Sequence, residues 1–238
     1  MRYCLGIFIL VMAFGACSPT DEELFQEGVK ELESGDYPKS ISYFDRLIER
    51  DAQNTSALNA KGVAYFEMQE WDKAIEAFNA SIQLDSTSYK PFFNRGNAYL
   101  EKKEYGKAVV DYNFANGLDP QQGDIYYNRG LALLGMESYE DAIFDFDIVL
   151  QGTPDFAQAH FNKGKAQLGN NEPIAALESL IRSTDLDPRN GAAYYLLGVT
   201  ELSVFGDEKK IDGCAHLNKA LSLGFGEAKS WIDEFCKE

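Results

Sequence analysis

The stretch FFNRGNAYLEKKEYGKAVVDY, from Phe92 to Tyr112, shares its pattern with YYNRGLALLGMESYEDAIFDF, from Tyr126 to Phe146. A third copy begins at His160 with HFNKGKAQL. Each copy places a ring residue, a second aromatic, Asn, a basic residue and Gly in that order, and the copies are 34 residues apart. A fixed period of this length is typical of a chain built from repeated structural units.

The same phase extends over most of the chain. When units are counted every 34 residues from Asp21, three positions keep their character. The eighth residue is always glycine (Gly28, Gly62, Gly96, Gly130, Gly164, Gly198), the twentieth is small in five units (Ser40, Ala74, Ala108, Ala142, Ala176), and the twenty-fourth is bulky in those five (Phe44, Phe78, Tyr112, Phe146, Leu180). Antiparallel helices approach closely only where side chains are small. We therefore expect glycine to meet the small residue, and the bulky residue to fill the space where the helices diverge.

Turn residues separate the two halves of each unit, and Pro120, Pro154 and Pro188 follow the second half, where proline ends a helix. With this helix, turn and helix pattern, the chain resembles the tetratricopeptide-repeat family over residues 21 to about 223. The resemblance implies an all-α fold, a right-handed superhelix (α-solenoid) of stacked hairpins whose first helices line a concave groove. The expected units are 21–54, 55–88, 89–122, 123–156, 157–190 and 191–223.

The end of the chain departs from the period. The sixth unit has three extra residues before Gly213, and residues 224–238 carry apolar side chains at helical spacing, which predicts a C-terminal capping helix. Cys214 and Cys236 lie about ten residues on either side of the turn at 224–226, so antiparallel helices place them level. We expect a disulfide between them in an exported chain; the alternative is two buried thiols.

The first residues have the layout of a signal peptide, expected at 1–16, with Arg2 before an apolar run and small residues before Cys17. The apolar run is shorter than the roughly 20 residues that cross a bilayer as a helix. The sequence Phe14-Gly15-Ala16-Cys17 resembles the lipobox of bacterial lipoproteins. The resemblance implies lipid attachment at Cys17, with residues 17–20 as a tether; the alternative is an ordinary secretory signal.

These features predict an exported bacterial lipoprotein on the outer membrane, at its periplasmic face or at the cell surface. The acidic run after Cys17 is similar to a surface-export tag, but Thr20 and Glu23 also fit a helix capping box. The formal net charge of −16 repels phosphate backbones, so we expect no nucleic-acid partner.

The family resemblance implies that the fifth and ninth residues of each unit face the groove. Five of the six fifth residues are aromatic, and two ninth residues, Asn97 and Lys165, are polar, a combination that suits capture of a protein or peptide partner. The candidate binding residues are Phe93, Asn97, Tyr127, Phe161, Lys165 and Tyr195. The alternative is that this stripe packs neighbouring hairpins together.

The sequence offers little for catalysis. His160 and His216 are its only histidines, and neither has a neighbour at metal-ligand spacing, so we expect no catalytic residue, metal or cofactor. The basic residues before the glycines are expected to pair within the array, as Arg95 with Asp111; Arg129 with Asp145 is the equivalent pair in the next unit. We predict a non-enzymatic membrane-anchored adaptor for protein or peptide partners. The alternative is a lipoprotein that binds glycans or small molecules for uptake.

Overall fold

The structure is a computed structural model that describes residues 19–237. The predicted signal peptide and Cys17 lie outside these residues. The described chain is all-helical, with six helical hairpins and a final short helix. The helices are α1 (Asp21–Ser34), α2 (Tyr37–Arg50), α3 (Thr55–Glu67), α4 (Trp71–Leu84), α5 (Tyr89–Glu101), α6 (Tyr105–Leu118), α7 (Gly123–Gly135), α8 (Tyr139–Gly152), α9 (Ala157–Gly169), α10 (Pro173–Leu186), α11 (Gly191–Phe205), α12 (Lys210–Ser222) and α13 (Ala228–Phe235).

The glycines at the eighth position make room for a ring. A Cβ on Gly96 would lie 2.7 Å from Cε1 of Tyr112, and one on Gly62 would lie 2.5 Å from Cε1 of Phe78. Both rings are fully buried. The expected contact of the glycine with the small twentieth residue is present: the Ser40 hydroxyl donates to the Gly28 carbonyl at 2.8 Å, and a Cβ on Gly164 would lie 3.5 Å from the Ala176 carbonyl oxygen. The bulky twenty-fourth side chain also lies directly against the glycine, which corrects the expectation that it fills only the space where the helices diverge.

The turn inside each of the first five hairpins uses a left-handed residue. Gly35 has φ 83°, and the equivalent Gln69, Lys103, Glu137 and Asn171 have φ of 59–60°. Three of those four are residue types that rarely adopt this conformation. The geometry of the hairpin therefore overrides the local preference of the residue.

The first helices of the hairpins lie on the inner side of the curve. Besides the contacts between consecutive helices, α1 contacts α3, α3 contacts α5, α5 contacts α7, and α7 contacts α9. The second helices of successive hairpins have no comparable contacts within residues 19–237. The stack therefore bends towards the first helices, as the family resemblance implied.

The last hairpin carries the cap. With three extra residues in this unit, α11 runs to Phe205, and a short 3₁₀ helix, Gly206–Lys209, lies between α11 and α12. Cys214 and Cys236 are joined by a disulfide, the expected pairing, and it ties α12 to the residue that ends α13. Within residues 19–237, no helix has the length and apolar character needed to cross a bilayer.

Candidate partner-binding groove

The structure places the six candidate residues on α5, α7, α9 and α11, along the inner face of the stack. Their side chains differ in solvent exposure. Phe161 is almost buried, at 9% exposure, and Lys165 is exposed. Phe93, Asn97, Tyr127 and Tyr195 are partly buried. Five of the six side chains are therefore at least partly covered by the fold, and Lys165 is the exposed one.

The aromatic side chains also hold the hairpins together. The ring of Tyr127 lies 4.9 Å from Phe156 in the loop that follows its own hairpin, and the ring of Tyr195 lies 4.9 Å from Phe225. The ring of Phe93 lies 6.0 Å from Tyr112. Pairs at these distances stabilise the structure by about 0.5–1.5 kcal/mol each beyond the area that they bury. The packing role left open by the sequence is therefore present alongside any role in binding.

Asparagine side chains link neighbouring first helices. Asn94 donates to Asn59 Oδ1 at 3.0 Å, and Asn128 donates to Asn97 Oδ1 at 3.0 Å. One unit further on, Asn162 donates to the hydroxyl of Tyr127 at 3.1 Å. These bonds use amide groups that would otherwise face a partner, and they fix the spacing of α3, α5, α7 and α9.

Asn97 also accepts a hydrogen bond from the buried hydroxyl of Tyr112 at 2.8 Å. Burial raises the pKa of Tyr112, and the negative charges of Asp111 and Glu101 raise it further. Burial likewise raises the pKa of Tyr127, which the hydrogen bond from Asn162 opposes. Both phenols therefore stay neutral at ordinary pH. Asn97 accepts hydrogen bonds from both Tyr112 and Asn128, so it has a structural role that the sequence did not predict.

Lys165 is the open polar group of the candidate set. Its Nζ lies 5.6 Å from the centre of the Phe161 ring, which places a cation over an aromatic face. It has no ion-pair partner in the part of the chain that the structure describes. The amine is therefore available to a carboxylate or carbonyl of a partner.

On the outer side, the expected pairs of arginine with aspartate are present, and their aspartates are buried. The Nε and Nη2 of Arg129 donate to the two carboxylate oxygens of Asp145 at 2.8 and 2.6 Å, and Arg95 grips Asp111 in the same way. The Asp145 side chain is 1% exposed. Burial raises the pKa of Asp145, which the hydrogen bonds and charge of Arg129 oppose, while those bonds raise the pKa of Arg129. The pair stays ionised because each charge compensates the other.

The same basic position also ties each unit to the one before it. Arg95 donates to Asn79 Oδ1, and Arg129 donates to Asn113 Oδ1 at 2.8 Å. In two other units the basic residue is a lysine, and the preceding unit has an aspartate where Asn79 and Asn113 stand. Lys61 is salt-bridged to Asp45 at 2.6 Å, and Lys163 to Asp147 at 2.6 Å. We call these four contacts the junction contacts. They explain why a basic residue returns before the glycine in four successive units.

A sizeable cleft lies outside the groove. It has a volume of about 770 Å³ along the outer side of α10, and Phe205 and Lys209 border one end. In this unit the buried arginine and aspartate are replaced by Lys163 and Ser179, whose hydroxyl donates to Gln167. Lys163, Gln167 and Ser179 all border this cleft, which the sequence alone did not reveal.

Neither histidine lies in a metal site. His160 Nε2 lies 2.9 Å from the carbonyl of Pro154, as the hydroxyl of Tyr126 lies 3.2 Å from that of Pro120, so His160 has the packing role expected of it. His216 Nδ1 lies 2.6 Å from Glu201, a contact that the sequence did not predict. Residues 19–237 contain no group of three or more His, Cys, Asp or Glu side chains placed to hold a metal ion.

Comparison with known families agrees with this architecture. A family described as Tetratricopeptide repeat matches residues 25–89 and 127–173, and a family described as TPR repeat matches residues 96–137. These matches together span more than half of the chain. The chain belongs to the tetratricopeptide-repeat (TPR) family. No curated protein has a significant sequence match to it.

Solved structures resemble the fold at low sequence identity. YrrB, described as a TPR protein with an unusual peptide-binding site, is 22% identical with a TM-score of 0.67, over 76% of this chain and 91% of YrrB. MamA from Desulfovibrio magneticus RS-1 is 19% identical with a TM-score of 0.67, over 71% of this chain and 94% of MamA. The C-terminal part of a TPR repeat-containing protein from Cytophaga hutchinsonii is 18% identical with a TM-score of 0.70, over 88% of this chain and 83% of that one.

Proposed function

We propose that this chain is a non-enzymatic adaptor that is anchored to a bacterial envelope membrane through Cys17 and holds a protein or peptide partner in its groove. The observation that carries the binding role is the inner wall itself. First helices linked by side-chain hydrogen bonds place partly buried rings and the exposed amine of Lys165 along one face. A preformed surface of this kind loses little conformational entropy when a partner binds.

The peptide-binding site in the description of YrrB supports a peptide or protein partner, since the two chains share a fold. Stacking of sugars, the alternative from the sequence, needs open aromatic faces. Tyr127 and Tyr195 each have another ring at 4.9 Å, which argues against it.

Site-specific photo-crosslinking tests the groove. With a crosslinking amino acid in place of Lys165, we expect a defined protein adduct from envelope extracts, and none from the same replacement at the outer residue Glu49. Tyr127→Ala should weaken this capture, whereas Phe144→Ala should not, because Phe144 is an exposed ring (63%) on the outer side of the same unit. Equal adducts at both positions would count against the groove.

The anchor rests on the lipobox-like sequence and needs its own experiment. Metabolic labelling with palmitate should mark the wild-type protein and the Cys4→Ala variant, since Cys4 lies inside the predicted signal peptide. Cys17→Ala should lose the label and leave the membrane fraction. Label that persists in Cys17→Ala contradicts the anchor.

A further inference from the structure

Three glutamates stand in phase at the C-terminal ends of the first three inner helices. Glu33, Glu67 and Glu101 are each the thirteenth residue of their unit, and all three are exposed. None has a hydrogen-bond or ion-pair partner within residues 19–237. In the later units the position holds Gly135, Gly169 and Ser203 instead.

The position of these glutamates is unfavourable for the helix dipole. The C-terminal end of a helix carries a partial negative charge, so carboxylates there are unfavourable and lysine or arginine is preferred. Because glutamate recurs at this unfavourable position in three units without a partner in the described chain, we look for its role in binding and not in folding.

Two members of the row lie at the groove, and Glu33 has the equivalent position in the first unit. Glu67 lines a small inner cleft of about 110 Å³ together with Val63, Asn94 and Asn97. The charge of Glu101 acts on Tyr112, whose hydroxyl bonds to the same Asn97. Basic side chains also lie near this half: Lys90 lines a cleft bordered by the first three units, and the exposed Lys103 follows Glu101 by two residues; the three carboxylates outnumber these two.

The groove is therefore polarised along its length. Its N-terminal half is acidic, and its C-terminal half holds the partly buried rings of Tyr127 and Tyr195 and the exposed amine of Lys165, which lies over the nearly buried Phe161. The overall charge of −16 adds a long-range attraction for cations.

Resting on the proposed function, we infer that the partner is an extended segment rich in lysine or arginine, whose basic side chains pair with Glu33, Glu67 and Glu101 while its apolar side chains contact the C-terminal half of the groove. Packed helices lie about 10 Å apart, and an extended chain advances about 3.3 Å per residue. About every third residue of the segment should therefore be basic where it crosses the glutamates.

Fluorescence anisotropy with the detergent-solubilised full-length protein tests this inference. The probe is a labelled 18-residue peptide with lysine at every third position in one half and phenylalanine or leucine at every third position in the other. Matched peptides carry serine or glutamate in place of lysine. The protein variants are Glu33→Gln/Glu67→Gln/Glu101→Gln and the outer control Glu49→Gln/Glu76→Gln/Glu140→Gln, which removes the same charge from exposed glutamates without partners in the described chain.

The lysine peptide should bind the wild type and the outer control alike, lose about tenfold in affinity on the inner triple variant, and weaken as salt rises. Equal binding to the two triple variants, or preference for the serine or glutamate peptide, overturns the basic-partner inference. In those cases the proposed groove is still supported if Tyr127→Ala weakens binding of the peptide. If none of the peptides binds, the inference fails, and the crosslinking experiment at Lys165 decides the groove separately.

Discussion

The glycine at the eighth position of each unit is a packing requirement, not a helix preference. Gly96 lies under the buried ring of Tyr112, and its own backbone is ordinary helix. Gly117, also helical, has nothing within 4 Å of the position where a Cβ would be. Substitution of Gly96 by alanine therefore tests steric overlap together with helix propensity, whereas substitution of Gly117 tests helix propensity alone.

We predict that Gly96→Ala lowers the free energy of unfolding by about 1–3 kcal/mol, because the new methyl group displaces a ring that has no free space around it. Gly117→Ala should raise it by up to about 1 kcal/mol through helix propensity alone. Urea denaturation followed by circular dichroism measures both. A loss at Gly117 equal to that at Gly96 would contradict the packing explanation.

The left-handed turn residues carry strain that glycine would relieve. Glu137 has φ 60°, is exposed, and makes no ion pair within the described residues. Glu137→Gly should stabilise the protein by about 1 kcal/mol, since a residue with a Cβ is disfavoured in this conformation by about that much. Gly35→Ala, at the equivalent turn with φ 83°, should destabilise it. The midpoint of urea unfolding should move in opposite directions for the two variants, and a shift in the same direction would contradict the prediction.

At the scale of the element, the buried ion pairs are the most sensitive contacts between the two helices of a hairpin. Removing one partner leaves the other charge buried, which costs far more than the net contribution of the intact pair. Arg129→Met should therefore lower the free energy of unfolding by about 3–5 kcal/mol.

Two further variants test whether the buried charge is the cause of this loss. Arg129→Met/Asp145→Met should recover most of the loss, because no charge is then left buried. Lys163→Met, at the same position of the next unit, should cost no more than about 1 kcal/mol, since its partner Asp147 is 42% exposed. Denaturation of the three variants checks this, and an equal loss in Arg129→Met and Lys163→Met would be evidence against burial as the cause.

The hairpins were predictable from sequence because their determinants are local and periodic. Glycine, small and bulky residues recur at fixed offsets, and a helical hairpin needs little else to be recognised. Other features depend on neighbours that the period does not reveal. The bond from Arg129 to Asn113 joins two units, and the cleft along α10 is lined by residues of several helices.

The candidate site was predictable only in outline. The inner position of Tyr127 and Lys165 follows from the phase, but the near burial of Phe161 follows from packing between hairpins. The row at Glu33, Glu67 and Glu101 was visible in the sequence as a repeated residue type. Its meaning required the structure, which shows where the helices end and that these carboxylates have no partners in the described chain.

At the scale of the whole molecule, stability depends on stacking, and the free C-terminal face must be covered. The disulfide between Cys214 and Cys236 spans 22 residues and holds the short α13 over Leu217 and Ala220. Closing a loop of this length contributes about 3 kcal/mol.

Reduction should therefore loosen α13 first. We expect faster hydrogen exchange in residues 228–235 after treatment with a reducing agent, and a loss of about 3 kcal/mol in the free energy of unfolding. Cys214→Ser/Cys236→Ser should show the same exchange with and without the reducing agent. Unchanged exchange in the reduced wild-type protein would mean that packing alone holds the cap.

The junction contacts also bear on how the length of the array could change. Asn79 and Asn113 occupy equivalent places, as do Arg95 and Arg129. Excision of residues 89–122 in one piece would leave Asn79 opposite Arg129, a match of the same two side-chain types. The protein is thus modular in its middle: a whole unit can be deleted or duplicated without a new junction having to evolve, and the reach of its inner surface is adjustable in steps of one hairpin.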